Sequence, residues 1–296
     1  AGVKNGIERV SKIMMPILVV LSCVITVYSV TRPGALEGVK YFLVPNFKNF
    51  SWMTVVTAMG QMFYSLSIAM GILITFGSYT EKEVSIENST ENVEVFDTAI
   101  AIMAGLMIIP AVFAFSGGNM ENLNAGPSLM FITIPKVFDS MGLGTLIGIL
   151  FFVLVLFAAL TSSIALTECA VSTFQDELKW SRHKSVCILG VIMLALGSLS
   201  SLGYGPLASI QIIGMQFLDF FDFLTNSVMM PISAICICLL VSKVIGVDKI
   251  AQEVKSHNNP FKREKIFNFM IKYVCPIFAT IILLSSVANA FGIIKM

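Results

Sequence analysis

Leu146 to Thr167 constrains this chain more than any other stretch: it runs without a charge until Glu168. As a helix it is long enough to cross the roughly 30 Å hydrocarbon core of a bilayer. Its centre reads LFAALTSSIAL, Leu156 to Leu166, and sets three hydroxyl side chains, Thr161, Ser162 and Ser163, side by side in an apolar setting.

The composition extends that reading to the whole chain. Of 296 residues, 56% are hydrophobic and only 12% charged, whereas soluble domains carry about a quarter charged residues. The fold class expected is all-α integral membrane. A net charge of +1 offers nothing to a nucleic-acid partner. The six cysteines lie in or at the ends of apolar runs without metal-ligand spacing, and read as small packing residues. His183 and His257 fall in charged loops and no nucleophile–base pairing is evident, so an enzyme is not expected. No signal-peptide pattern is present. The sequence begins at AGVKNG rather than Met, which raises the expectation of a longer parent chain.

Seven apolar spans follow: Ile13–Val30, Trp52–Phe76, Phe96–Phe115, Leu143–Thr173, Ser185–Leu202, Phe217–Val244 and Phe269–Phe291. The loop 117–141 holds a short amphipathic piece, SLMFITIPKVF, expected to be re-entrant or capping. Asn88-Ser89-Thr90-Glu91 has capping-box spacing, so the third helix is expected to start before its apolar part, with Asp97 more than two turns inside. Most Lys and Arg lie on the N-terminal tail and the second, fourth and sixth loops. That places the N-terminus of this chain in the cytoplasm and its C-terminus outside. Asn49-Phe50-Ser51 is a glycosylation acceptor pattern.

Two regions carry chemistry. Ala158, Thr161, Ser162 and Leu166 share one helix face. The plain reading is back-bonded hydroxyls and close helix packing. The sharper one is a site for a monovalent cation, built from two hydroxyls and the Ala158 carbonyl. In the second span, Tyr64-Ser65-Leu66-Ser67-Ile68-Ala69-Met70-Gly71 suits either a continuous helix with a small-residue face or a helix broken in two around a cavity. With no Pro there, the residues alone favour the continuous helix. Glu168, Asp176, Asp219 and Asp222 read singly as solvated helix ends, Asp97 as the exception.

The segments GIERVSKIMMP, GQMFYSLSIAMG, AGLMIIPAVFAF, GPSLMFITIPKVF, FAALTSSIAL, DELKWSR and KYVCPIF, in that order, resemble the neurotransmitter:sodium symporter family, above all its bacterial LeuT-like amino-acid transporters. The resemblance implies a LeuT-like inverted-repeat fold, incomplete here. Residues 1–296 would form a single membrane domain with helix 5 at about 11–31, helices 6–10 at about 52–245 and helix 11 at about 266–292. The family's helices 1–4 would be missing.

It also implies a function: sodium-coupled import of an apolar or aromatic amino acid by alternating access in a bacterial inner membrane. Two sodium ions are expected in the complete protein. One is held by the Ala158 carbonyl and the Thr161 and Ser162 hydroxyls, the other by Ser65 and Asp97 with the substrate carboxylate. Asp97, with Ala101 where a relative has Glu, stands in for chloride. The substrate pocket uses Tyr64, Ser65, Ser67 and Met70, with Ser162 and Leu166 opposite. Carbonyls near Tyr64 and Ser67 take the ammonium. Met70 replaces a Phe, and Ala69 a Gly, of a bacterial relative. Asp222 is the outer-gate acid with Gln61 nearby; Asp176 is the inner-gate acid with Tyr79 beside it. The alternative is a truncated, non-transporting fragment or a regulatory or structural partner.

Overall fold

Six helices in the computed structural model, which describes residues 3–117, 126, 129–256 and 260–292, are unbroken and apolar enough to cross a membrane: Gly6–Val30, Ile86–Ser116, Gly144–Leu178, Arg182–Leu202, Phe217–Ile245 and Glu264–Ala290. They answer to six of the seven expected spans. The remaining one, Trp52–Phe76, is interrupted. Lone backbone pairing between Ile212 and Met215 is the only β-type contact among the described residues. The chain divides into two compact units, Ala1–Phe50 with Glu94–Ala165, and Ser51–Val93 with Leu166–Met296.

In the first unit, wide π turns at Val3–Glu8 lead into α1 (Arg9–Val30). A turn at Gly34, whose φ of +82° suits glycine, opens α2 (Ala35–Leu43). The helix α5 (Ile86–Ser116) passes close to α2: a Cβ on Gly38 would stand 2.8 Å from the Pro110 Cα. The expected amphipathic piece is π-turned over Leu129–Thr133 and then forms α6 (Ile134–Asp139), far too short to span. Its Ile134, Val137 and Phe138 enter a core with Leu18 and Ile25 of α1, Met107, Ala111 and Val112 of α5, and Ile147, Phe151 and Leu154 of α7 (Gly144–Leu178). Helical spacing on each element makes one continuous apolar stripe. Between membrane-spanning helices this packing gains van der Waals contact rather than removal from water, since lipid tails are as apolar as the core itself.

In the second unit, the helices α3 (Trp52–Ser65) and α4 (Ile72–Ser78) share the broken span. Next come α8 (Arg182–Leu202) and a continuous run in which α9 (Phe217–Asp222) and α10 (Met230–Leu239) are joined by the π turns Phe223–Met229. The amphipathic α11 (Val247–Val254) buries Val247, Ala251 and Val254. The last span joins α12 (Glu264–Phe269) to α13 (Cys275–Ala290) through the π turns Met270–Val274. The helices α10 and α13 pack together. Ala234, Cys238 and Ala279 are buried, and small residues of this kind let helices approach closely.

Two details correct the expectations. The third span does begin early, at Ile86, but the Asn88 backbone N–H is accepted by the Ser85 hydroxyl at 3.4 Å, so the cap lies three residues ahead of the expected box. At 31 and 35 residues, α5 and α7 overrun a bilayer core, and Asp176 sits in the last turn of α7 rather than beyond it. His257, residues 118–125 and 127–128 of the loop 117–141, and the Asn49 side chain fall outside the described residues.

Candidate functional site

The second span starts as a well-capped helix. The Ser51 hydroxyl accepts the Thr54 N–H, and the Thr54 hydroxyl accepts the Ser51 N–H. It stops with equal definition. Ile68 N–H donates to the Phe63 carbonyl and Ser67 N–H to the Tyr64 carbonyl, at 3.1 and 3.0 Å. That pair of bonds is a Schellman ending, which requires a left-handed residue at its second position past the helix. Ser67 supplies it at φ 54°. Ala69 is also left-handed at φ 64°, and Gly71 at φ 80° opens α4. The helix is therefore broken over Leu66–Gly71, and the continuous helix favoured by the residues alone is incorrect.

Donors from two other helices occupy carbonyls inside the break. Ser233 Oγ of α10 donates to the Ala69 carbonyl at 3.1 Å. Cys169 Sγ of α7 donates to the Met70 carbonyl at 3.7 Å, a weak thiol bond. The same sulfur closes on Gly71, where an added Cβ would stand 2.9 Å from it. Of the expected pocket residues, Tyr64 is 48% exposed, and Ser65, Ser67 and Met70 are half-buried. The Tyr64 carbonyl already accepts Ser67 N–H at the helix end. Gln61 is exposed on α3.

In the first unit, Thr161 Oγ1 donates to the carbonyls of Phe157 and Ala158, each at 3.0 Å. This is the plain back-bonded arrangement. It also sets a hydroxyl oxygen beside the Ala158 carbonyl, two neutral hard oxygens of the kind hard cations take. Ser162 is exposed next to it, and Leu166 follows one turn on, also exposed. Asp97 is half-buried well inside α5.

The expected gate residues are placed unevenly. Asp222 is exposed at the end of α9, and its carboxylate accepts the Asn226 side-chain N–H. Asp176 is exposed, and its backbone carbonyl accepts Lys179 Nζ. Tyr79 does not pair with Asp176. Its hydroxyl donates to Glu168 Oε1 at 3.1 Å. Glu168, read from the sequence as a solvated helix end, is instead only 3% exposed. Arg182 grips both of its oxygens, Nη1 to Oε1 at 3.0 Å and Nη2 to Oε2. A buried carboxylate needs such charge-assisted partners. The spacing of Glu168 to Arg182 across a short loop was the available signal.

The chain matches the model of the sodium:neurotransmitter symporter family over residues 1–293. It is similar to an uncharacterized sodium-dependent transporter of Bacillus subtilis, YhdH, with 34% identity over 99% of this chain and 64% of that protein. An uncharacterized sodium-dependent transporter of Haemophilus influenzae is 32% identical over 96% of this chain and 61% of its own length. The crystal structure of MhsT in complex with L-phenylalanine superposes with a TM-score of 0.82 and 37% identity, covering 96% of this chain and 64% of that one. The chain thus spans under two thirds of the length of these proteins. Its all-helical, multi-pass membrane fold is LeuT-like, and the chain belongs to the sodium:neurotransmitter symporter family.

Proposed function

We propose that this chain carries half of the substrate and sodium sites of a sodium-coupled symporter that imports an apolar or aromatic amino acid. The observation that carries the reading is the break at Leu66–Gly71. A helix that stops with a formed cap in mid-span exposes polar backbone where lipid cannot satisfy it, and such backbone is tolerated where it lines a cavity. Tyr64 and Ser65 end the helix before that break, and Ser67 and Met70 lie within it. Ser67 and the open carbonyls beside it take the ammonium group, while Tyr64, Met70 and Leu166 meet the side chain. Met70 is unbranched and adapts to large groups. L-phenylalanine bound to MhsT is consistent with an aromatic substrate.

Two sodium ions are co-substrates in this reading. Ala158, Thr161 and Ser162 contribute neutral oxygens to one, Ser65 and Asp97 to the other. Asp97 supplies the fixed negative charge that makes chloride unnecessary. In this reading the remaining ligands come from the family's first helix, which also carries the Arg partner of Asp222, while Asp176 pairs with an N-terminal Arg of the family. Asp222 with Gln61 guards the outer side. Asp176 and Tyr79 guard the inner side, which the N-terminus of this chain faces. The Glu168–Arg182 pair joins that inner group.

The test is binding of radiolabelled L-phenylalanine and L-leucine to the natural protein that carries this sequence, in sodium, potassium and chloride-free sodium buffers. Binding in both sodium buffers and none in potassium is the expected result. Binding indifferent to sodium sinks the symporter reading, and a need for chloride removes the assigned role of Asp97.

A further inference from the structure

We propose that Ser233 is a positioning residue for the amino-acid site, holding the break from α10 while Cys169 holds it from α7. The inference rests on the reading of the break as the substrate site and extends it to residues that the site itself does not contain.

The argument starts from the cost of the conformation. Ser67 and Ala69 are both left-handed without being glycine. Each such residue costs about 1–2 kcal/mol, so an isolated chain would abandon this path. A strained segment persists only where its surroundings over-determine it. Here the surroundings are two side chains. Ser233 Oγ donates to the Ala69 carbonyl, and Cys169 Sγ donates to the Met70 carbonyl and stands 2.9 Å from where a Cβ at Gly71 would lie. The peptide unit is planar, and no cis bond occurs among the described residues. Directing these two carbonyls towards α10 and α7 therefore also directs the Met70 and Gly71 N–H groups the opposite way.

The bonds have a second consequence. A carbonyl occupied by Ser233 or Cys169 competes poorly for a substrate ammonium. The carbonyls that stay open lie earlier in the break, beside Ser67. Ser233 thus helps decide where along the break the positive end of an amino acid binds. The continuous run Phe217–Ile245 carries both Ser233 and the acid Asp222, so the element that holds the break also carries the residue assigned to the outer gate.

The experiment uses the natural protein in lipid nanodiscs, as wild type, Ser233→Ala, Ser233→Thr and Cys169→Ala. Two quantities are read: hydrogen exchange of the backbone amides 68–73, and sodium-dependent binding of L-phenylalanine. Ser233→Ala is expected to speed exchange in that segment, to leave α8 and α13 unchanged, and to weaken binding about tenfold, the scale of one lost hydrogen bond. Ser233→Thr keeps the hydroxyl and is expected to behave as wild type in both. Cys169→Ala is expected to speed exchange to a smaller extent. Wild-type exchange in Ser233→Ala overturns the inference. So does a Ser233→Thr protein as impaired as Ser233→Ala, since space rather than the hydroxyl would then matter. If the wild type binds no amino acid, the proposed function fails, and the exchange comparison still decides the role of Ser233.

Discussion

Arg182 holds Glu168 through both carboxylate oxygens, and Tyr79 donates to one of them as well. The carboxylate is almost fully buried, whereas the arginine is 36% exposed. Removing the arginine therefore leaves a buried charge with one neutral donor. Arg182→Ala is expected to destabilise the protein by about 2–3 kcal/mol, below the roughly 3–5 kcal/mol of a fully buried broken pair because the arginine is 36% exposed. Glu168→Gln keeps an acceptor for both partners and should lose about half as much. Thermal melting in detergent separates them; equal melting temperatures for wild type and Arg182→Ala would show that the pair contributes nothing.

Gly71 and Ala69 make opposite predictions within one break. Gly71 needs its left-handed φ and lacks room for a Cβ beside Cys169 Sγ. Gly71→Ala should cost about 2 kcal/mol from the two effects together. Adding Cys169→Ala removes the collision but not the backbone strain, so the double variant should recover only part of the loss. Ala69→Gly relieves strain already present and should change stability by between zero and about 1 kcal/mol in the favourable direction. Additive losses for Gly71→Ala and Cys169→Ala, measured by melting, would contradict the contact.

The apolar spans were legible because a bilayer imposes one demand, a long uncharged run, and such runs stand out in one dimension. The early start of α5 was legible in outline only: the expected box at Asn88–Glu91 lies three residues past the cap that Ser85 supplies. The break was not legible from the residues themselves. Two of its three left-handed positions hold Ser67 and Ala69 instead of glycine, and the donors that sustain the break lie 164 and 99 residues away in sequence. The residues raised a break beside a continuous helix and favoured the helix; the family resemblance favoured the break. Glu168 was misread for the same reason. Its setting comes from Tyr79, 89 residues away, and from an arginine across a loop. Local pattern reports where a helix runs; what faces a polar side chain is decided by tertiary contacts.

Glu87, at the start of α5, accepts the backbone N–H groups of Lys262 and Arg263, each at 3.0 Å, and is 8% exposed. Hydrogen bonds to a charged acceptor contribute more than neutral ones, about 1.5–3 kcal/mol. Glu87→Ala should therefore cost about 2 kcal/mol and speed amide exchange at 262 and 263. The nearby pairs Arg263–Glu91 and Lys255–Glu264 are much more exposed. Glu91→Ala should cost under about 0.5 kcal/mol. A larger loss for Glu91→Ala than for Glu87→Ala would reverse this ranking.

Tyr204 lies between α8 and α9, and its hydroxyl donates to Asp219 at 3.1 Å. Burial first, and the neighbouring carboxylate second, raise its phenol above the ordinary value. A raised folded pKa favours the neutral phenol in the folded state. The contribution is complete below the unfolded pKa near 10 and is lost as pH climbs through the folded value. Melting temperatures of wild type and Tyr204→Phe should therefore differ by a constant amount from pH 7 to 9 and converge above pH 10. A gap that widens at alkaline pH would contradict the direction of the shift.

Thr161 separates the structural role of a hydroxyl from its proposed role in holding an ion. Its Oγ1 returns to two carbonyls of its own helix, and back-bonds of this kind add little to helix stability. Thr161→Val keeps the shape and removes the oxygen, so stability should change by about 0.5 kcal/mol or less. A hard cation deprived of one of its few neutral oxygens loses much more. The sodium concentration for half-maximal amino-acid binding should rise about tenfold, whereas Thr161→Ser retains the oxygen and should stay near wild type. Sodium titrations of L-phenylalanine binding read this directly. Wild-type sodium dependence in Thr161→Val would leave the hydroxyl with packing and back-bonding alone, and would remove Ala158, Thr161 and Ser162 from the cation site.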